Sequence, residues 1–75
     1  MKLEELFAIV LEVPQVELTD LSSQASLRSW DSFAHINIIS TLEETYGVRF
    51  TTDEIRNMKS LGDARRLLGA KGVTV

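Results

Sequence analysis

Apolar residues recur along the chain in stretches of helical period, separated by polar breaks. Between Lys2 and Glu12, Leu3, Leu6, Phe7 and Val10 fall on one side while Glu4, Glu5 and Glu12 supply the other, which predicts a first helix. Pro14 is expected to stop it, because its ring fixes φ and disfavours the α region at Val13. From Gln15 to Trp30 the composition turns to Thr, Asp, Ser and Gln, with Val16, Leu18, Leu21 and Leu27 at no steady period. This predicts a loop longer than most in small domains, with its leucines pinning it over the helices. Asp31 is an N-cap for a second helix over residues 32–46, and Gly47 stands where a left-handed residue commonly ends one. After the connector "VRF", Thr51 and Glu54 form a capping box opening a short third helix near Asp53 to Met58. Ser60 and Asp63 repeat the device for a fourth helix through about Leu68, ended by Gly69, with Leu61, Ala64, Leu67 and Leu68 as its apolar side. The tail "AKGVTV" is expected to fray. Nothing in the pattern asks for a β-sheet. It predicts a small all-α bundle of three main helices plus a short one, with residues 1–75 as a single domain.

The second helix carries more apolar residues than a core stripe needs. At 100° per residue, His35, Ile38, Ile39, Leu42 and Tyr46 share an arc of about 100°, the width of a core-facing stripe. Phe33 and Ile36 lie outside it, on a side shared with Asn37, Ser40, Glu43 and Glu44. Either the long loop folds back over these two residues, or they are the anchors of a partner-docking face.

Charge and composition narrow the chemistry. The chain has eleven acidic and eight basic residues and a net charge of -3, which disfavours a nucleic-acid partner and favours basic patches on other proteins. At 44% hydrophobic and 25% charged it reads as ordinary globular material. No apolar stretch approaches the roughly 20 residues that cross a bilayer, and "MKLEELFAIV" carries acids where a signal peptide carries bases. No membrane association and a cytoplasmic location are therefore expected. There is no cysteine, hence no thiol nucleophile, and only one histidine, which leaves no His-pair metal site. Asp53, Glu54 and Asp63 suit first-turn positions better than metal ligation. A Ser32–His35 nucleophile pair lacks an evident third member, so His35 reads as a semi-buried packing or gating residue. No catalytic residue and no metal ligand emerge, and the chain is not expected to be an enzyme.

The order of these features resembles the acyl carrier protein family, peptidyl carriers included, over nearly the whole chain. "DSF" at residues 31–33 is similar to the family's Asp-Ser-Leu attachment motif, and "LEETYGVRFTTDEI" to its Leu-Glu-Glu-x-Phe-Gly-hydrophobic stretch. The resemblance implies a bundle of acyl-carrier type. It makes Ser32 the acceptor of a 4′-phosphopantetheine arm, taken from coenzyme A by a magnesium-dependent phosphopantetheinyl transferase, with Asp31 as motif residue and N-cap. It implies docking through Phe33, Ile36, Glu43 and Glu44. The expected partners are that transferase, an acyl- or aminoacyl-loading enzyme, and a downstream acyltransferase or synthase, met by a monomeric carrier. Ser29 where the family often has Gly, Phe33 for the usual Leu, and neutral Ala34 and Asn37 where fatty-acid carriers are often acidic depart from the housekeeping pattern. With "WDS" and His35 they point to a free-standing carrier of polyketide or related secondary metabolism. An aminoacyl or peptidyl carrier, and a helical adaptor that is never modified, are the alternatives. Trp30 would either pack over the loop or wall one side of the arm.

Overall fold

The computed structural model describes every residue from Met1 to Val75. Its helices are α1 (Leu3–Leu11), α2 (Ser32–Tyr46), α3 (Thr52–Asn57) and α4 (Leu61–Ala70), with one 3₁₀ turn at Gln15–Glu17 and no strand. Leu3, Leu6, Phe7 and Leu11 of α1 meet Ile38, Ile39 and Leu42 of α2 and Leu61, Ala64 and Leu68 of α4 in one apolar cluster. The loop contributes Leu18 and Trp30, and the connectors Phe50 and Met58. Every buried side-chain polar atom has a hydrogen-bond partner.

Pro14 is not what ends α1. Glu12 takes a left-handed conformation (φ 57°, ψ 46°), and the N–H of Val13 reaches back to the Ala8 carbonyl at 3.2 Å. This is a Schellman closure with glutamate where glycine is usual. The left-handed backbone costs about 1–2 kcal/mol, offset by that bond and by the packing of Val13 on the core. Nor does Gly69 end α4 as expected: it lies inside the helix, and Gly72 takes the positive φ of 85°. Gly72 N–H bonds Gly69 O and Val73 N–H bonds Leu68 O, both at 3.0 Å. The tail beyond does not fray as expected. Val73 and Val75 pack on the core, and Arg65 Nη1 donates to the Val75 carbonyl at 3.0 Å.

The long loop is pinned differently from the expectation. Leu18 and Leu27 do face the helices, but Val16 and Leu21 are 90% and 87% exposed. Backbone hydrogen bonds take their place. The Leu61 and Gly62 N–H groups, which no α4 carbonyl can satisfy, donate to Ser22 O at 3.0 Å and Asp20 O at 2.9 Å. Arg65 adds a side-chain clamp, with Nη2 on Asp20 at 3.1 Å and also on Glu4 of α1. The capping box at Thr51 and Glu54 is present in both directions. At α4 the device is shifted by one residue: Ser60 Oγ accepts from Asp63 N–H, but the Asp63 carboxylate accepts from Lys59 N–H.

Gly62 is fixed by this docking, since a Cβ there would lie 2.9 Å from Asp20 O. Alanine in a helix interior ordinarily stabilises by up to about 1 kcal/mol over glycine. At this position the close approach reverses the sign, and Gly62→Ala is expected to destabilise by about 1–3 kcal/mol, read as a lower urea midpoint.

The acid side of the stability curve follows from two glutamates. Glu4's own backbone N–H holds its carboxyl below the ordinary value; burial works against this, and Arg65 reinforces it by hydrogen bond and charge. For Glu54 the Thr51 N–H lowers the value first, then the Lys71 ammonium. Groups whose folded pKa is depressed contribute stability that is present above the unfolded glutamate value, about 4.3, and is lost as pH falls through the lower folded values. Tm is therefore expected to drop below about pH 4.3, and Arg65→Gln to flatten that drop relative to wild type in a circular-dichroism melting series.

Candidate functional site

The start of α2 is built by a division of tasks between neighbouring residues. Asp31 is extended (φ -95°, ψ -171°) and its Oδ1 accepts the Ala34 N–H at 2.8 Å, so the cap is complete without Ser32. Ser32, the first helical residue, is exposed. The hydroxyls of Ser22, Ser26 and Ser60 are spent on backbone N–H groups, whereas that of Ser32 makes no hydrogen bond. The N–H groups of Ser32 and Phe33 have no backbone acceptor and point out of the positive end of a four-turn helix. A hydroxyl beside two unused donors at a helix start suits a covalently attached phosphate.

Around it the surface is apolar. Phe33 is 85% and Ile36 57% exposed, so the loop does not fold back over them. Ala34, neutral where fatty-acid carriers are often acidic, is no surface position here: it is buried with Ile38, Ile39 and Leu42. The buried arc of α2 thus widens to about 140°, from Ala34 to Ile39, with the half-buried His35 and Tyr46 inside it. Of the two neutral positions after the motif, only Asn37 faces solvent. The expected acidic pair also separates. Glu44 is exposed, while Glu43 is half-buried and its Oε2 accepts the Phe50 N–H at 2.9 Å, tying α2 to the connector.

Beneath the site runs a hydrogen-bond chain that the pattern of apolar positions could not reveal. Trp30, 2% exposed, donates its Nε1–H to His35 Nδ1 at 3.0 Å and packs edge-on against Phe7 with centroids 5.4 Å apart. His35 Nε2 lies 2.9 Å from the Ile55 carbonyl. Because Nδ1 accepts, Nε2 must carry the proton and donate, which fixes a neutral tautomer. Both ring nitrogens are thereby occupied and cannot serve Ser32 as a base, so the Ser32–His35 nucleophile pair is excluded. Trp30 packs inward and forms no wall of an outer cleft. The signal available in the sequence was a tryptophan five residues before the only histidine: a buried indole N–H needs an acceptor, and few were on offer.

No protein-family model matches the chain. An acyl carrier protein of Acidothermus cellulolyticus is 32% identical over 59 residues, spanning 75% of this chain and 70% of that protein. The solution NMR structure of a holo acyl carrier protein from Geobacter metallireducens superposes with a TM-score of 0.82 at 32% identity, covering 92% of this chain and 79% of that one.

The chain belongs to the acyl carrier protein family. Members are carriers that serve enzymes and are not enzymes themselves. The carrier's four helices without a strand match the fold of that neighbour. No helix of the carrier is long and apolar enough to cross a membrane.

The Trp30–His35–Ile55 chain should be measurable in this carrier's stability. Leaving the buried indole N–H without an acceptor costs about 1–3 kcal/mol, so His35→Ala is expected to lower the urea midpoint by that equivalent, with a shift in Trp30 fluorescence. Trp30→Phe combined with His35→Ala should cost less than the sum of the two single changes, because one interaction is counted twice; additivity would remove the coupling.

Proposed function

We propose that Ser32 carries a 4′-phosphopantetheine arm and that the carrier presents thioester-bound intermediates to partner enzymes. The observation that carries this reading is the exposed Ser32 hydroxyl, left unbonded because Asp31 alone caps the helix. In the loading step a phosphopantetheinyl transferase with magnesium brings coenzyme A to the helix start. Ser32 Oγ loses its proton and forms a bond to the pantetheine-linked phosphorus as the pyrophosphate P–O bond breaks, releasing 3′-phosphoadenosine 5′-phosphate. The phosphodiester anion is favoured by the free Ser32 and Phe33 N–H groups. The bound arm supplies the thiol that this cysteine-free chain lacks. Nothing at the site would be lost on modification: Asp31 keeps the cap, and the Trp30–His35 bond lies below it.

Residues 1–75 then act as one carrier domain whose docking face is the exposed side of α2. Phe33 and Ile36 are the apolar anchors and Glu44 the free acid, with Glu43 offering its remaining carboxylate oxygen. One exposed acid, Glu44, and a neutral Asn37 make a weakly charged face, which gives modest electrostatic steering and fast release. That face suits a carrier of polyketide or related secondary metabolism better than one serving enzymes that need a continuous acidic stripe. Its partners are a loading enzyme and a downstream acyltransferase or synthase.

Incubation with coenzyme A and a broad-specificity transferase is expected to add about 340 Da to the wild type and nothing to Ser32→Ala, read by intact-protein mass spectrometry. An unchanged wild-type mass with several transferases overturns the assignment.

A further inference from the structure

His35 is the only imidazole in the chain, and the loading step at Ser32 makes no use of it. Its two nitrogens differ in the charge state they tolerate. Nε2 donates to the Ile55 carbonyl at 2.9 Å, and it can do so with the ring neutral or charged. Nδ1 accepts the Trp30 indole N–H at 3.0 Å, which only the neutral ring can do, because an imidazolium carries a second N–H there. Charging the ring therefore sets two donors against each other on the loop side and leaves the α3 side intact.

No group bonded to the ring offsets such a charge. His35 makes no ion pair, and both nitrogens meet neutral partners. On its own helix, Asp31 stands one turn before it, with Oδ1 committed to the Ala34 N–H. On α3, Asp53, Glu54 and Arg56 flank Ile55. Glu54 is engaged by the Thr51 N–H and by Lys71, and the side chains of Asp53 and Arg56 are 85% and 73% exposed. The loop brings Arg28, exposed, two residues before Trp30, and α1 meets the indole with the uncharged Phe7. The indole π face is not available either. The two ring planes are 23° apart with centroids separated by 6.1 Å, so the imidazole, bonded through the indole Nε1, sits at the edge of the indole and not over it.

The loop side is also the side of the attachment site. Trp30 is buried, its backbone N–H closes a turn on the Leu27 carbonyl at 3.1 Å, and Asp31 and Ser32 follow directly. A buried indole that loses its acceptor reorients or opens toward water, and either movement shifts the residues that present Ser32. We propose that the Trp30–His35 pair is a proton-sensitive latch on the attachment site: the neutral ring holds the loop end that presents Ser32, and the charged ring releases it while α3 stays docked. His35 is then a positioning residue for loading. This rests on the attachment of the arm at Ser32. The held state belongs to the higher pH and is lost as the ring gains its proton.

Imidazole ordinarily changes charge between about pH 5 and 8, which sets the range of the test. The ¹⁵N-labelled carrier is followed by NMR from pH 8 to pH 5, with the charge of His35 read from its ring nitrogens and the latch from the Trp30 indole N–H. His35→Gln, which offers an acceptor and a donor at every pH, is the reference. In the wild type, protection of the indole N–H against solvent exchange is expected to fall about fivefold or more as the ring charges. The Trp30, Asp31 and Ser32 amides should shift at the same midpoint, and the Ile55 and Arg56 amides should stay. The rate of arm addition by a phosphopantetheinyl transferase, taken as wild type over His35→Gln so that the transferase's own pH profile cancels, should fall over the same range. The latch is overturned by an indole N–H that keeps its protection while the ring charges, by the same transition in His35→Gln, by α3 amides that move as far as those of Trp30 and Asp31, or by a ring that stays neutral down to pH 5. Intact mass separates this from the reading beneath it. If no arm appears on Ser32 of either protein at any pH, the attachment reading falls and the control of loading with it. If both proteins load and the ratio of their rates is flat while the ring charges, the latch alone is overturned.

Discussion

The hydrogen bond from Trp30 to His35, continued from His35 to the Ile55 carbonyl, is the contact on which the arrangement of the site depends. A long loop has to deliver Asp31 and Ser32 to one place at the start of α2, and chain entropy alone would leave its end loose. Burying an indole at that end fixes it, but only if the N–H finds a partner inside the bundle. His35 is that partner, and as a two-sided group it passes the restraint on to α3. Alpha-3 needs it: none of its own residues is fully buried, so it is held by Ile55, by the connectors Phe50 and Met58, and by the Lys71–Glu54 pair. One imidazole therefore joins the loop, the helix bearing Ser32 and the weakest helix of the bundle.

The other end of the loop is held by a different kind of contact. Asp20 and Ser22 give their carbonyls to the first N–H groups of α4, so an element without regular hydrogen bonding satisfies the unpaired donors of one that has it. Each side lacks partners alone. That mutual need explains how a 75-residue chain with no cysteine for a disulfide keeps so much irregular backbone close to its core.

What the sequence makes legible divides along the same line. Asp31, Gly47 and the Thr51–Glu54 box could be read because a cap is satisfied by residues three or four positions away, and those residues are visible in the same stretch. The boundaries of α2 followed, and so did the position of Phe33 and Ile36 outside the core stripe, although whether the loop covers them could not be read. Glu12 could not be read as a left-handed helix end, because its side chain does not favour that conformation and only the tertiary fold pays its cost. The burial of Ala34 could not be read from the stripe on α2, because a helical wheel knows nothing of what packs on its flank. The ordered tail, the exposed Val16 and Leu21, and the half-engaged Glu43 all depend on partners far along the chain, to which a periodic pattern is blind.

The separation between Asp31 and Ser32 has a consequence for how such a site can change. A residue that both capped α2 and carried a group would have its hydroxyl oxygen claimed by a backbone N–H, and modification would weaken the helix. Here the carboxylate next door does the capping at 2.8 Å, so the serine hydroxyl bears no part of the fold's stability. The same separation holds along the helix, where Ile38, Ile39 and Leu42 hold the core while Phe33 and Ile36 face outward. Glu43 is the exception, spending one oxygen on Phe50 N–H and leaving the other without a protein partner. A change at Glu43 would disturb the connector as well as the surface, whereas exposed Glu44 holds no other element, which makes Glu44 the position where the charge of this face is most readily tuned.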